Sequence, residues 1–223
     1  MKARPVSLLA LTFSLLGVLF TSPAIASEIV YGTFGPGQSY NTASGWPVGT
    51  LPVVFDETQK MEAAVSFTPS QSFTFDSFDV AALLDSTSVS TQFTVSLACD
   101  SGSSSPGAAL ETFSFTGMTD TPAVYSASSL LHPELMAGEK YWLVMSSDEL
   151  LNIYLTWLDT DTFLDGEIAY KNGLYTDWAY GYGSTPAFEV RGTTAEAVPE
   201  PTSMLLMGLG LVVLAGVRGR AGG

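Results

Sequence analysis

The sequence predicts an all-β fold, an antiparallel β-sandwich or jelly-roll-like domain, over residues 27–197. Three observations lead to this prediction. Apolar residues recur at period two along the segment, which is typical of half-buried strands. Turn residues separate these short runs, and strands do not alternate with helices. Helix signals are poor: only Ser128 to Met136 favours a helical turn or two, and Pro133 limits it.

Four runs show the alternation most clearly, with apolar side chains on one face of the strand. Two further runs, Lys140 to Met145 and Asn152 to Leu158, are apolar on both faces. These two runs predict central strands that are covered on both faces, either by other strands or by strands on one face and a loop on the other. The alternating sets are Ala63, Val65 and Phe67; Phe93, Val95 and Leu97; Phe113 and Phe115, in a strand that begins with Leu110; and Phe188 and Val190.

The apolar parity breaks between two halves of one predicted strand. Phe73 and Phe75 occupy odd positions, whereas Phe78 and Val80 occupy even ones. One extra residue in a strand moves every later side chain to the other face. A β-bulge at Asp76-Ser77 would therefore return both pairs to the core, and we predict a bulge or kink there.

Turn signals connect these strands. Asn172-Gly173 lies between Glu167–Tyr170 and Leu174–Ala179 and predicts a two-residue type I′ hairpin. Asp165-Gly166 is a second candidate turn, and Gly102–Gly107 predicts a loop between two strands.

The amino terminus has the pattern of a secretory signal peptide, assigned to residues 1–26. Basic residues precede an apolar stretch over residues 6–20. Small residues, Ala24 and Ala26, then precede the predicted cleavage site at Ser27. The alternative is an uncleaved anchor helix.

The carboxyl terminus, residues 198–223, has three parts. Pro199-Glu200-Pro201 favours extended, exposed backbone, because proline lacks an amide donor and restricts the residue before it. The uncharged run from Met204 to Val217 would span about 21 Å as a helix, somewhat less than the hydrocarbon core. Arg218 and Arg220 mark the cytoplasmic side. We predict one transmembrane helix; the alternative is a buried core helix.

This tail resembles the PEP-CTERM sorting signal of Gram-negative bacteria, which combines Pro-Glu-Pro, a helix and a basic end. The resemblance implies an exosortase, a membrane cysteine protease-transpeptidase, as the processing partner. It also implies an inner-membrane stage in transit, followed by the cell surface or extracellular matrix.

The central domain carries a second resemblance. Ala137 to Val144, then Trp178 and the closing run Pro186 to Gly192, are similar to the choice-of-anchor domains of exported bacterial proteins, type R in particular. The resemblance covers most of Ser27 to Gly192. It implies a lectin-like β-sandwich and no established activity.

Charge limits the partners of the domain. Residues 27–197 contain four basic and 21 acidic side chains, a net charge of −17. Nucleic acid and anionic polysaccharide would be repelled, the latter unless divalent cations bridge. Cys99 is the only cysteine, so the chain forms no intramolecular disulfide.

Catalytic patterns are weak. His132 is the only histidine and precedes a proline, which disfavours a Ser-His-Asp triad and the usual zinc sites. The carboxylate pairs Asp76/Asp79 and Asp148/Glu149 would suit a glycan-active hydrolase or lyase. We expect no enzymatic activity and keep that class as an alternative.

Four carboxylates fall within nine residues beside a glycine. Oxygen ligands at this density suit Ca²⁺, although the spacing is not that of an EF-hand. The alternative is a solvated acidic loop, and no other cofactor is predicted. The candidate ligands are Asp159, Asp161, Asp165 and Glu167.

Aromatic residues in glycine-rich sequence predict a sugar-stacking surface. Trp178, Tyr180 and Tyr182 form the candidate site, with Trp46 and Tyr175 as further members. Core and loop packing is the alternative. We expect a structural or adhesive protein of the surface or matrix, with exopolysaccharide as a possible partner class because its production accompanies the sorting system. A carbohydrate-binding module is the second hypothesis.

Overall fold

The protein is described by a computed structural model over residues 27–52, 58–84, 92–147, 155–162, 164–173 and 177–194. These residues form thirteen β-strands and no helix, which confirms the all-β prediction. No helix in this part of the chain is long and apolar enough to cross a bilayer. The predicted signal helix and the predicted C-terminal helix both lie outside the described residues.

The thirteen strands of the described part are numbered in chain order. Their bounds are β1 Glu28–Gly32, β2 Gly45–Pro52, β3 Thr58–Phe67, β4 Phe73–Leu84, β5 Phe93–Asp100, β6 Pro106–Phe115, β7 Ala123–Ser128, β8 Glu134–Leu135, β9 Tyr141–Ser146, β10 Leu155–Leu158, β11 Asp165–Asn172, β12 Ala179–Ser184 and β13 Phe188–Thr194.

Each pairing in the described part is antiparallel, and the sheet curls upon itself into a sandwich-like fold. The main path runs β1-β13-β4-β10-β2-β3-β9-β5-β6. Strands β7 and β8 also pair with β4, and β11 joins β12 to β3. The first layer therefore centres on β4 and the second on β3 and β9, while β2 joins the layers.

The core fills the space between the layers, because alternating apolar side chains of β3, β4, β5 and β9 face inward. Aromatic rings dominate it: Phe78 meets Phe113 edge-on at 4.9 Å, and Phe93 stacks on Phe115 at 4.6 Å. A smaller cluster lies on the outer face of the second layer. Its buried members are Ala64, Ala98, Trp142 and Ala169.

The predicted bulge is confirmed in β4. Ser77 pairs with Arg191 of β13, and Phe75 pairs with the next residue, Gly192, so that Asp76 is the extra residue. The apolar residues on both sides of it are buried, as the parity argument requires: Phe73, Phe75, Phe78 and Val80.

Local turn signals were less reliable. The predicted loop Gly102–Gly107 is confirmed over residues 102–105, where Gly102 has a φ of +83°, whereas Pro106 and Gly107 already belong to β6. The predicted hairpin around Asn172-Gly173 is confirmed as the antiparallel pair β11–β12, but its two-residue turn is wrong, because Asn172 still pairs with Met61 and the hairpin closes between Tyr170 and Ala179. Pairing with β3 holds β11 extended past the position where the hairpin was expected to turn.

Two other expectations are also corrected. Asp165-Gly166 forms no turn but begins β11, opposite Ser184 and Gly183. The suggested helical turn over Ser128 to Met136 is absent, and that segment contains the short strand β8. In both places the chain pairs with a neighbouring strand, which satisfies backbone groups that a local turn would leave exposed.

Candidate functional site

A cluster of polar and aromatic side chains lies on the outer face of the second layer. Glu167 pairs with Tyr182, and Ala169 with Tyr180, so the register brings Glu167 and both tyrosines to one face of the β11–β12 hairpin. Ser66 of β3 and Lys140, just before β9, approach from the neighbouring strands. We call Glu167, Tyr180, Tyr182, Ser66 and Lys140 the tyrosine–glutamate cluster.

The Glu167 carboxylate is the centre of this cluster. Its Oε1 accepts hydrogen bonds from the hydroxyls of Tyr180 at 2.9 Å and Tyr182 at 3.4 Å. Its Oε2 accepts from Ser66 Oγ at 3.1 Å and lies 2.5 Å from Lys140 Nζ. Four donors therefore converge on one carboxylate and fix the two tyrosine hydroxyls.

These contacts shift two pKa values in opposite directions. The Lys140 ammonium, followed by the Tyr180 and Ser66 hydroxyls, lowers the pKa of Glu167 despite its partial burial. The neighbouring Tyr182 hydroxyl, desolvation and the Glu167 carboxylate raise the pKa of Tyr180. At neutral pH the cluster thus contains the ionised Glu167 carboxylate beside the neutral phenol of Tyr180, and both can form hydrogen bonds with a hydroxylated ligand.

The aromatic residues predicted to bind sugar are divided between two environments. Tyr182 is 73% exposed and Tyr180 41%, with their rings edge-to-face at 5.9 Å. Trp178 instead packs against the small apolar cluster around Trp142. Trp46 is half-buried and donates its Nε1 hydrogen bond to the Ser184 carbonyl at 2.7 Å. Tyr175 lies outside the described residues.

A groove of about 530 Å³ opens beside the carboxylate. Its lining includes Tyr31, Thr33 and Phe67 together with Ser66, Lys140 and Glu167. The groove therefore has apolar and charged walls together, and the tyrosine–glutamate cluster shares three residues with it.

The carboxylates predicted to bind calcium are not brought together. Asp159 is buried and accepts from Ser44 Oγ at 2.7 Å, and burial raises its pKa. Asp161 accepts from Ser39, Asp165 is exposed at the start of β11, and Glu167 belongs to the tyrosine–glutamate cluster. No group of three metal-binding side chains of the His, Cys, Asp or Glu type occurs within the described ranges. The calcium hypothesis stays a prediction.

The other catalytic candidates make structural contacts. Asp76 accepts from Thr193 Oγ1 at 2.6 Å, and its Oδ1 lies 3.5 Å from Nδ1 of the exposed His132. Asp79 accepts from Gln38 at 3.1 Å and lies 3.4 Å from Arg191. Asp148 and Glu149 lie outside the described residues.

Sequence reasoning missed Ser66 and Lys140 as partners of Glu167. They are 101 and 27 positions away along the chain, and only the pairing of β11 with β3 and the start of β9 brings them together. The alternation of β3 could have placed Ser66 on the outer face opposite Val65, but no local signal links it to Glu167.

Residues 197–221 match the family model described as the PEP-CTERM protein-sorting motif. The motif indicates an exported protein that is anchored in the membrane in transit and has an exosortase as its processing partner. It includes the predicted residues Pro199, Glu200, Pro201, Arg218 and Arg220, all outside the described residues, as are Ala24 and Ala26. No curated protein matches the chain. The central domain's similarity to the choice-of-anchor type stays a prediction.

Proposed function

We propose that this chain is a non-enzymatic structural or adhesive protein of the cell surface or extracellular matrix, delivered there after exosortase cleavage at Pro199-Glu200-Pro201. The observation that carries the proposal is the sorting motif at residues 197–221, directly behind a sandwich whose last strand ends at Thr194. The net negative charge of the domain suits a soluble module, because like charges keep copies of the chain apart.

The test is the mature C-terminus, measured by intact mass spectrometry of the tagged chain from a Gram-negative host with and without the exosortase. We expect a shortened chain in the outer fractions only when the exosortase is present. Glu200→Ala should cause retention of the precursor at the inner membrane, whereas Glu196→Ala removes the same charge just before the motif and should be processed normally. An identical C-terminus in both hosts would contradict the proposal.

A second function is favoured by the tyrosine–glutamate cluster: binding of neutral glycans. Exposed tyrosine rings offer apolar faces to sugar rings, and the fixed hydroxyls and the carboxylate offer hydrogen bonds to sugar hydroxyls. Neutral glycans are preferred because the domain charge repels anionic ones.

Glycan-array binding by the full chain tests this function. Tyr182→Ala should abolish binding, while Tyr170→Ala, at a 40% exposed tyrosine on the opposite face of the same hairpin, should leave it unchanged. Equal glycan binding by the two variants would contradict the assignment of the glycan site to the tyrosine–glutamate cluster.

A further inference from the structure

Two leucines between β7 and β8 stand out because they are exposed. Leu130 is 87% exposed and Leu131 67%, whereas most large apolar side chains of the described part are buried. We call this pair the hydrophobic tip. Two adjacent exposed leucines form a small apolar surface that is available to an apolar partner.

A buried carboxylate holds the backbone of the tip. Glu111 Oε1 accepts from the amides of Leu130 at 2.7 Å and Leu131 at 3.3 Å. Its Oε2 accepts from Ser129 Oγ at 2.5 Å, and that oxygen accepts in turn from the His132 amide at 2.8 Å. His132 has a φ of +47°, in the left-handed region. The loop is therefore preorganised, so that a partner need not order it on binding.

The tip lies at the end of the sandwich where the last strand ends. The Ser129 amide donates to the Asp76 carbonyl at 2.7 Å, and Thr193 Oγ1 donates to the Asp76 carboxylate at 2.6 Å. Thr194, the final residue of β13, pairs with Phe73 at the start of β4. One residue, Asp76, thus contacts both the base of the tip and the end of β13.

The anchor confines this end of the domain. Nine residues lie between Thr194 and the apolar run that begins at Met204, and the ten Cα-to-Cα steps that join these two residues span at most about 35 Å when fully extended. Such a tether gives a high effective concentration of the tip at the bilayer, so that even a small apolar contact is populated.

We propose that the hydrophobic tip is a second membrane contact, which inserts into the lipid interface while the C-terminal segment holds the chain in transit. This inference rests on the membrane-anchored stage of the proposed function. The lipid surface that fits the tip is zwitterionic, because the domain carries a charge of −17 and the exposed Glu134 follows the tip closely. Anionic lipid should therefore weaken the contact at low salt. Release of the anchor by cleavage then frees the tip, because two leucines alone bind lipid weakly.

The experiment uses residues 27–223, the chain without its predicted signal peptide, with Cys99→Ser, reconstituted in phosphatidylcholine vesicles. An environment-sensitive fluorophore is attached at Leu131→Cys or, as the control, at Asp120→Cys. Asp120 is exposed beyond the far end of β4, where the Leu84 amide donates to the Thr119 carbonyl. Flotation reports anchoring, and quenching by spin-labelled lipid reports contact of the fluorophore with the bilayer.

We expect flotation together with quenching at position 131 that is several-fold stronger than at position 120. Leu130→Ser should lower the quenching at 131 without changing flotation. Flotation with equal quenching at both positions would overturn the proposed membrane contact of the tip but would still support the C-terminal anchor. Absence of flotation would overturn both. A blue-shifted signal that lipid quenchers leave unchanged and that dilution abolishes would assign the tip to a second copy of the chain, which also overturns the proposal.

Discussion

Deleting Asp76 tests whether a single extra residue sets the orientation of β4. Without it, the two halves of the strand can no longer both face their apolar side chains inward, because the side-chain period of a strand is two residues. Either Phe73 and Phe75 or Phe78 and Val80 must leave the core, and each of these is at most 1% exposed in the native fold.

The size of the effect follows from burial. Fully burying one such side chain contributes about 1.5–3 kcal/mol, so losing two costs about 3–6 kcal/mol. The whole free energy of unfolding of a domain of this size is about 5–15 kcal/mol. We therefore expect the deletion variant to lose much of its stability or to fail to fold.

Asp76→Ala is the matched control, because it keeps the extra residue and removes only the side-chain contacts with Thr193 and His132. Loss of the Thr193 hydrogen bond should cost about 1 kcal/mol. Urea unfolding followed by tryptophan fluorescence compares the two variants. Equal free energies of unfolding for the deletion and the alanine variant would refute the parity argument, since the register would then contribute nothing.

Three further changes probe single carboxylates. Glu111→Ala leaves the amides of Leu130 and Leu131 without their acceptor and should lower the free energy of unfolding by about 2–3 kcal/mol in urea titrations, more than Glu111→Gln does. Burial raises the pKa of Asp159, so at pH values between the ordinary and the raised pKa the native state binds more protons than the unfolded state. Stability therefore falls as pH rises through that window. The melting temperature of Asp159→Asn, measured against pH, should lack this decline. The pKa of Glu167 is lowered, so its contribution to stability is present above the ordinary carboxyl pKa and is lost as pH falls through the lowered value. In a plot of melting temperature against pH, Glu167→Gln should therefore show a smaller decline at acidic pH.

Period-two alternation was enough to predict the strands and the bulge, because burial on one face constrains every second residue. It placed Phe73 and Phe78 on opposite sides of a one-residue insertion without any knowledge of β13. Hairpin geometry was not predictable in the same way. The Asn172-Gly173 signal is local, and the pairing of β11 with β3, residues more than a hundred positions apart, outweighs it.

In the candidate site, too, contacts within one strand were predictable from the sequence and contacts between distant strands were not. Tyr180 and Tyr182 could be predicted to share a face because they are two residues apart, and the structure brings them together. Glu167 was grouped with Asp159 and Asp161 because they are close in sequence. In the fold it is drawn to Lys140 instead, since an ammonium at 2.5 Å offers a charge-assisted contact that neighbouring carboxylates cannot.

The two proposed surfaces lie on different parts of the fold, so both can be occupied at the same time while the chain is still anchored. The hydrophobic tip lies at the end of the sandwich next to β4 and β13, whereas the tyrosine–glutamate cluster occupies the outer face of the second layer. A bilayer against the end of a sandwich leaves a lateral face open to solvent. Glycan binding and membrane contact should therefore be additive: Tyr182→Ala should not change the lipid quenching at position 131, and Leu130→Ser should not change glycan affinity. Coupling between the two in a double variant would mean that the surfaces are continuous.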